Sequence, residues 1–290
     1  MEAVILGKVW CSFGCSVTGA NHTENNKPNQ DAFLCQNIAA GIPQGIMAVS
    51  DGHGGDKYVR SDKGSRFAVK EICETVLNNN QISIQKNRSL TDKILSHITA
   101  NFYQNWTRCV DNHLDENPLT ESELSPLKES DRNILQKDGR IAYACTISMA
   151  ATYDDMVLIM QHGDGDILFL YEDGTVTSMT AAYPGIVGDE TPSLGDFHNR
   201  DTQYRVFNGD EMPVMITLFS DGVKKSFDDK DDFMKIPCIL RDLLINKGME
   251  ETEIALEKFL STVTNKGSGD DVTLTVLYRS DKICGNADKG

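Results

Sequence analysis

No stretch of the chain approaches the roughly 20 consecutive apolar residues that a membrane-spanning helix needs, so no such helix is expected. Basic residues are scarce: 28 Lys and Arg stand against 43 Asp and Glu, a net charge of −15. A chain this acidic lacks the clustered cations that neutralise a phosphate backbone, which excludes nucleic acid as the expected partner. The eight cysteines are irregularly spaced, and no CxxC pair is matched by a second Cys or His pair, so a zinc site is not expected. Several of them sit inside apolar runs, where a thiol behaves as a small hydrophobe. Met1 to Trp10 have neither the basic start nor the long apolar core of a secretory leader. The triplets beginning at Asn21, Asn87 and Asn105 fit the glycosylation pattern, but without a leader they are read as chance. Together these absences point to a reducing cytoplasm.

What is present is ordinary globular composition, 40% hydrophobic and 24% charged over 290 residues. No internal repeat and no biased linker divides it, so one domain over 1–283 with a polar tail at 284–290 is expected. Period-two runs predict strands at 10–18, 31–38, 45–50, 142–152, 156–161, 167–171, 175–179, 203–207, 214–220 and 272–278. Tyr58 to Leu77 reads as a helix, and Leu90 to Val110 as a second with Ser89 as its N-cap. Two more are expected over 231–247 and 249–265, broken at Gly248. The polar stretches 19–30, 111–139 and 181–202 read as loop, irregular surface or weak helix. Strands and helices come in blocks rather than alternating, which predicts an α+β layered architecture with mainly antiparallel sheets.

The most specific motif is Asp51-Gly52-His53-Gly54-Gly55, entered from the apolar run 45–50. It sets a carboxylate, a backbone carbonyl and an imidazole on a glycine-rich turn at the end of a buried strand. Two further acidic strand ends, Ser220-Asp221-Gly222 and Gly269-Asp270-Asp271, complete an all-oxygen donor set suited to hard divalent cations. Two such ions can ionise a bridging water for in-line attack on phosphorus and offset the phosphate charge, while an imidazole protonates the leaving alkoxide. Asp164-Gly165-Asp166 lacks the 12-residue spacing and terminal Glu of a calcium loop.

In this order the motifs resemble the metal-dependent serine/threonine phosphatases of the protein phosphatase 2C family, and its small bacterial members in particular. Asn29-Gln30-Asp31 looks like the early acidic pair and Asp51 to Gly55 like the most specific motif. Tyr143 to Thr146, Gly163 to Asp166, Ser220 to Gly222 and Asp270 to Thr273 follow in family order. The resemblance implies an α-β-β-α four-layer sandwich of two antiparallel sheets flanked by helices. It implies two Mn²⁺ or Mg²⁺ ions held by Asp51, the Gly52 carbonyl, Asp221 and Asp270, with Asp164 near a weaker third. His53 would be the general acid, and Asp31 would orient a metal-bound water. A phosphorylated protein is the implied substrate, and a serine/threonine kinase the implied counterpart in signalling.

The chain departs from the family pattern at five places. Gln30 stands where Glu is usual, and Asn26 where the phosphate-gripping Arg is usual, leaving His22 and Lys27 as candidate phosphate contacts. Lys225 stands where Asp is frequent, which weakens a third metal site, while Asp271 replaces a common Asn and partly compensates. Residues 179–200 offer no clear counterpart to a substrate-contacting flap. These departures leave open a catalytically weak phosphatase-like binding module, and a phosphatase of small phosphorylated metabolites.

Overall fold

Among the described residues of the computed structural model, ten strands form two five-stranded sheets, antiparallel throughout. Those residues are 10–38, 44–79, 88–153, 156–179, 192–195 and 202–284, without the side chains of 88–92. The first sheet runs β1 (Trp10–Val17), β10 (Val272–Arg279), β9 (Met215–Phe219), β6 (Asp166–Leu170), β7 (Val176–Met179). The second runs β2 (Ala32–Asn37), β3 (Gly45–Ser50), β4 (Ile147–Tyr153), β5 (Met156–His162), β8 (Gln203–Asn208).

Side-chain alternation along these strands builds three apolar layers. Met47, Val49, Ala150 and Ile159 point from the second sheet onto Ile167, Phe169, Ile216 and Leu218 of the first. The alternate residues of the second sheet, among them Ile46, Ala48 and Met149, pack under α2 (Ser61–Leu77) and α3 (Arg88–Glu116). On the far side, Leu168, Leu274 and Val276 pack under α8 (Ile236–Lys266). The order is helix, sheet, sheet, helix, as the resemblance implied. β3, β4, β6 and β9 are buried at every position because both their faces are covered.

The α3 stripe Leu95, Ile98, Phe102, Trp106 and Val110 is core, at 5% exposure or less. The helix begins at Arg88, so Ser89 lies inside it rather than capping it. The region 111–139 is more ordered than its polarity suggested. There α3 runs on to Glu116, and two short helices follow, α4 (Glu121–Leu124) and α5 (Glu129–Lys137). A capping box in which Thr120 and Glu123 bond each other's backbone fixes the start of α4. Another short helix, α1 (Ala20–Glu24), occupies the stretch read as loop. The strand expected from 142 begins at Ile147, because 139–143 form a 3-10 turn. Two more one-turn helices, α6 (Asp221–Lys224) and α7 (Lys230–Met234), precede α8, whose path breaks at Gly248 with φ 78, the residue expected to stop a helix. The segment 181–202 lies outside the described residues except for 192–195 and 202. No helix among the described residues is long and apolar enough to cross a membrane.

Candidate active site

Strand polarity sends every acidic motif to one end of the two sheets. In the second sheet Ala32 pairs with Ser50, which places Asp31 and Asp51 side by side just beyond the ladder. In the first, Phe219 pairs with Asp166 and Leu274, so Asp221 leaves β9 where β6 and β10 begin. Asp270 and Asp271 lead into β10, and Asp164 sits in the turn from β5 to β6.

The Asp51 turn is held by backbone bonds to the strand opening at 144–146. Thr146 N donates to Asp51 O at 2.8 Å, His53 N to Ala144 O at 3.1 Å, and Asp51 N to Thr146 Oγ1 at 3.1 Å. This is the service rendered by the small-Thr element singled out in the sequence. Gly52 N donates to Gln30 O at 3.1 Å, and a side chain at 52 would bring a Cβ within 2.6 Å of that oxygen. Only glycine allows the turn to lie so close to the Gln30 backbone. The same holds at Gly222, where a Cβ would stand 2.2 Å from Asp271 O.

The acids form one electrostatic cluster. Burial, then the charges of Asp31, Asp221, Asp270 and Asp164, push the Asp51 carboxyl well above the usual carboxylate range. Burial raises Asp31 to about 8, with Asp271 and Asp270 adding to the rise and hydrogen bonds from Thr273 and Ser220 opposing it. Thr273 Oγ1 donates to Asp31 Oδ2 at 2.6 Å, linking the first sheet to the second. Asp221 is likewise raised by burial, with a hydrogen bond from Lys225 working the other way and Asp164 and Asp270 reinforcing it. Lys225 Nζ lies 2.5 Å from Asp221 Oδ2. Burial lowers the pKa of that ammonium, but the bond to Asp221 and the charges of Asp221, Asp270 and Asp51 outweigh it. Lys224, one residue earlier, pairs with Asp166 at 2.7 Å.

His53 stands beside the cluster, its ring 5.0 Å from that of Tyr58. Burial lowers its pKa, partly countered by Asp164. Of the candidate phosphate contacts, His22 is 9% exposed, with Nδ1 2.9 Å from Asp271 Oδ2, so its ring braces a loop from inside. Lys27 is exposed and enters the structure through its backbone, its N–H donating to His22 O at 2.8 Å. Asn26, at the usual arginine position, holds φ 53 and closes α1, a left-handed turn that Asn tolerates better than most residues. Asp271 also has a different role from the one expected. Its carboxylate accepts from Gly19 N at 2.7 Å and Gln30 N at 2.6 Å, so it ties backbone rather than offering a spare metal oxygen. Sequence reasoning missed this tether, for which the only local signal is a second acid beside Asp270.

The donor set suits a hard divalent cation. All candidate donors are oxygens, and crowded carboxyls of this kind are relieved by a cation. Gln30 supports the same conclusion. Its Nε2 donates to Ser61 Oγ at 2.6 Å, while its Oε1 is buried without a hydrogen-bond partner, an acceptor left for a bound water. Among the described residues no three carboxylate, imidazole or thiol groups stand close enough together to hold a metal ion.

Comparison with known proteins locates this arrangement in a family. Residues 18–261 match the sequence profile described as protein phosphatase 2C, so Asp270 falls beyond the matched stretch and is placed by the fold. No curated protein matches the chain. The serine/threonine phosphatase Stp1 from Staphylococcus aureus superposes with a TM-score of 0.58 at 14% identity, over 96% of this chain and 98% of that one. PppA, a regulatory component of T6SS in Pseudomonas aeruginosa, gives 0.56 at 18% identity, over 94% and 98%. The catalytic domain of the phosphatase PstP, solved with two manganese ions, gives 0.57 at 14% identity, over 93% and 98%. At these identities the likeness is one of fold.

Proposed function

The chain belongs to the protein phosphatase 2C family, and from that premise we propose that it is a metal-dependent phosphoserine/phosphothreonine protein phosphatase. The observation that carries this reading is the gathering of Asp31, Asp51, Asp164, Asp221 and Asp270, from both sheets, into one cluster in which burial and neighbouring charge raise Asp31, Asp51 and Asp221. Residues 1–283 form the catalytic domain in this reading, with 284–290 as a tail. Eight unpaired cysteines suit the reducing cytoplasm in which it would work.

Asp51, the Gly52 carbonyl, Asp221 and Asp270 hold two Mn²⁺ or Mg²⁺ ions in this reading, and Asp164 contributes to a weaker third position. When bound, such ions lower the pKa of water and offset the charge of the phosphoryl group. Asp31, fixed by Thr273, accepts a hydrogen bond from the attacking water and orients it. Gln30 Oε1 does the same without charge. His53, held by its backbone bond to Ala144 and by the Tyr58 ring, donates a proton to the leaving serine or threonine oxygen. The monoester is hydrolysed in one displacement with no phosphoenzyme. His22, turned toward Asp271, and the exposed Lys27 are the side chains that would supplement the ions' hold on the phosphoryl group.

The test is hydrolysis of a phosphothreonine peptide by metal-free protein, with and without added Mn²⁺. Turnover should require Mn²⁺ and vanish with EDTA. Equal turnover in the metal-free sample would refute the mechanism, and faster turnover of sugar phosphates than of phosphopeptides would reassign the substrate. A second reading, a phosphatase-like binding module of low activity, draws on Lys225 seated on Asp221 and on the missing arginine at Asn26. It would show Mn²⁺ binding with no turnover across a panel of phosphopeptides.

A further inference from the structure

Asp221 and Lys225 are four residues apart on the one-turn helix α6 and its C-cap, so the two side chains rise on the same face. The turn is regular, with Lys225 N donating to Asp221 O at 3.0 Å. At its tip the ammonium sits 2.5 Å from Asp221 Oδ2, within the field of Asp270 and Asp51. The neighbouring Lys224 turns away to Asp166, so the seating of Lys225 is not a consequence of two lysines in succession. A positive charge therefore already stands on an oxygen assigned above to a divalent ion.

We propose that Lys225 is a tethered cation that competes with divalent metal for the Asp221 carboxylate and so sets the metal affinity of the site. The inference rests on the reading of Asp51, Asp221 and Asp270 as metal ligands. In the metal-free protein the ammonium offsets carboxylates crowded at the end of the sheets. As an ion loads, the ammonium leaves Asp221 Oδ2, because two cations on one oxygen repel. The lysine side chain is 57% exposed on a flexible four-carbon stem, so it can swing into water without disturbing the fold. Each loading event thus exchanges one ion pair for another. The affinity for metal is lower than the carboxylates alone would give.

The experiment is calorimetric titration of Mn²⁺ into metal-free wild-type protein, Lys225→Met, Lys225→Arg and Lys235→Ala. Methionine keeps most of the stem and removes the charge, and arginine keeps the charge. Lys235, paired with the exposed Asp232 at 2.8 Å, controls for the change in net charge. Lys225→Met should bind Mn²⁺ about fivefold tighter or more, with Lys225→Arg and Lys235→Ala near wild type. Thermal melts supply a second readout. Metal-free Lys225→Met should melt below wild type, and the Mn²⁺-saturated variant should gain more on metal addition than wild type does. Mn²⁺ binding to Lys225→Met within twofold of wild type, with unchanged melts, would overturn the competition while leaving the metal site standing. Absence of Mn²⁺ uptake by every protein would overturn the metal reading itself.

Discussion

Replacing Glu123 by Gln tests whether the buried arginine clamp behind the site works electrostatically. Arg60 is 4% exposed and makes a bidentate pair with Glu123, Nε to Oε1 at 2.7 Å and Nη2 to Oε2 at 2.9 Å. Its remaining donors go to Asn117 O, Pro118 O and the Tyr143 hydroxyl. Its own N–H donates to Ala142 O, two residues before the carbonyl that holds His53. The hydrogen bonds from Arg60, opposed by burial and aided by Thr120, hold the Glu123 carboxyl at about 2 against an ordinary 4.5. At about 1.4 kcal/mol per pH unit that difference corresponds to about 3 kcal/mol of stability at neutral pH. The carboxylate is 26% exposed, and solvent screening reduces the figure to about 2 kcal/mol. For a chain of this size that is a fall in Tm of about 4 °C.

The sign of the pH dependence follows from the lowered pKa. A carboxyl depressed in the folded state contributes fully above its unfolded value, and the contribution fades as pH falls through the folded value. Urea unfolding of wild type and Glu123→Gln between pH 7 and pH 3 should therefore show a constant gap above about 4.5, narrowing below it toward closure near 2. A gap that stays constant or widens on acidification would show that the clamp acts by packing and shape, and would refute the electrostatic reasoning.

Asp51→Ala, Asp221→Ala and Asp270→Ala should each abolish Mn²⁺-dependent phosphatase activity and weaken Mn²⁺ binding by calorimetry, while the metal-free proteins fold. His53→Gln should lose about 10²-fold or more on a phosphoserine peptide but far less on p-nitrophenyl phosphate, whose leaving group needs no proton; equal losses on both would remove His53 as the general acid. Gly222→Ala should displace α6 from the Asp271 backbone, lowering Tm and Mn²⁺ affinity together, as read by melts and titration.

The acids gathered at the sheet ends were legible because each stands on a short-range pattern, an acid at the end of an apolar run followed or preceded by glycine. The layered α+β architecture with antiparallel sheets followed from the blocks of strands and helices, while the four-layer order came from the family resemblance. What failed to show was tertiary. Nothing local marks Arg60, whose partner Glu123 lies 63 residues away, and the polarity of 111–139 concealed helices that exist to build that clamp. Asp271 read as a metal ligand's neighbour, but its partners Gly19 and Gln30 come from the other end of the chain. Lys225 was visible as a departure and its spacing from Asp221 is a helical one, yet α6 is a single turn that apolar periodicity could not reveal.

The tethers also explain why the acids can be crowded at all. Five carboxyls at one end of a sandwich repel, and repulsion of that kind opens the sheets unless bonds cross between them. Two bonds at this end cross between the sheets, Thr273 to Asp31 and Asp271 to the Gln30 N–H, and Gln30 O accepting from the Gly52 N–H carries the connection on to the Asp51 turn. Each joins β10 to the start of β2, or that start to the Asp51 turn, so that Gln30 and Asp31 are the point through which both sheets hold each other. Seen this way, the uncharged Gln30 has a physical reason. A carboxylate at 30 would add a further negative charge beside Asp31, already at about 8, whereas the amide donates to Ser61 and keeps a buried, unpartnered acceptor oxygen. In the proposed reading, an uncharged Gln30 and a cation seated at Lys225 make the site hold its ions less tightly than its carboxylates alone would allow.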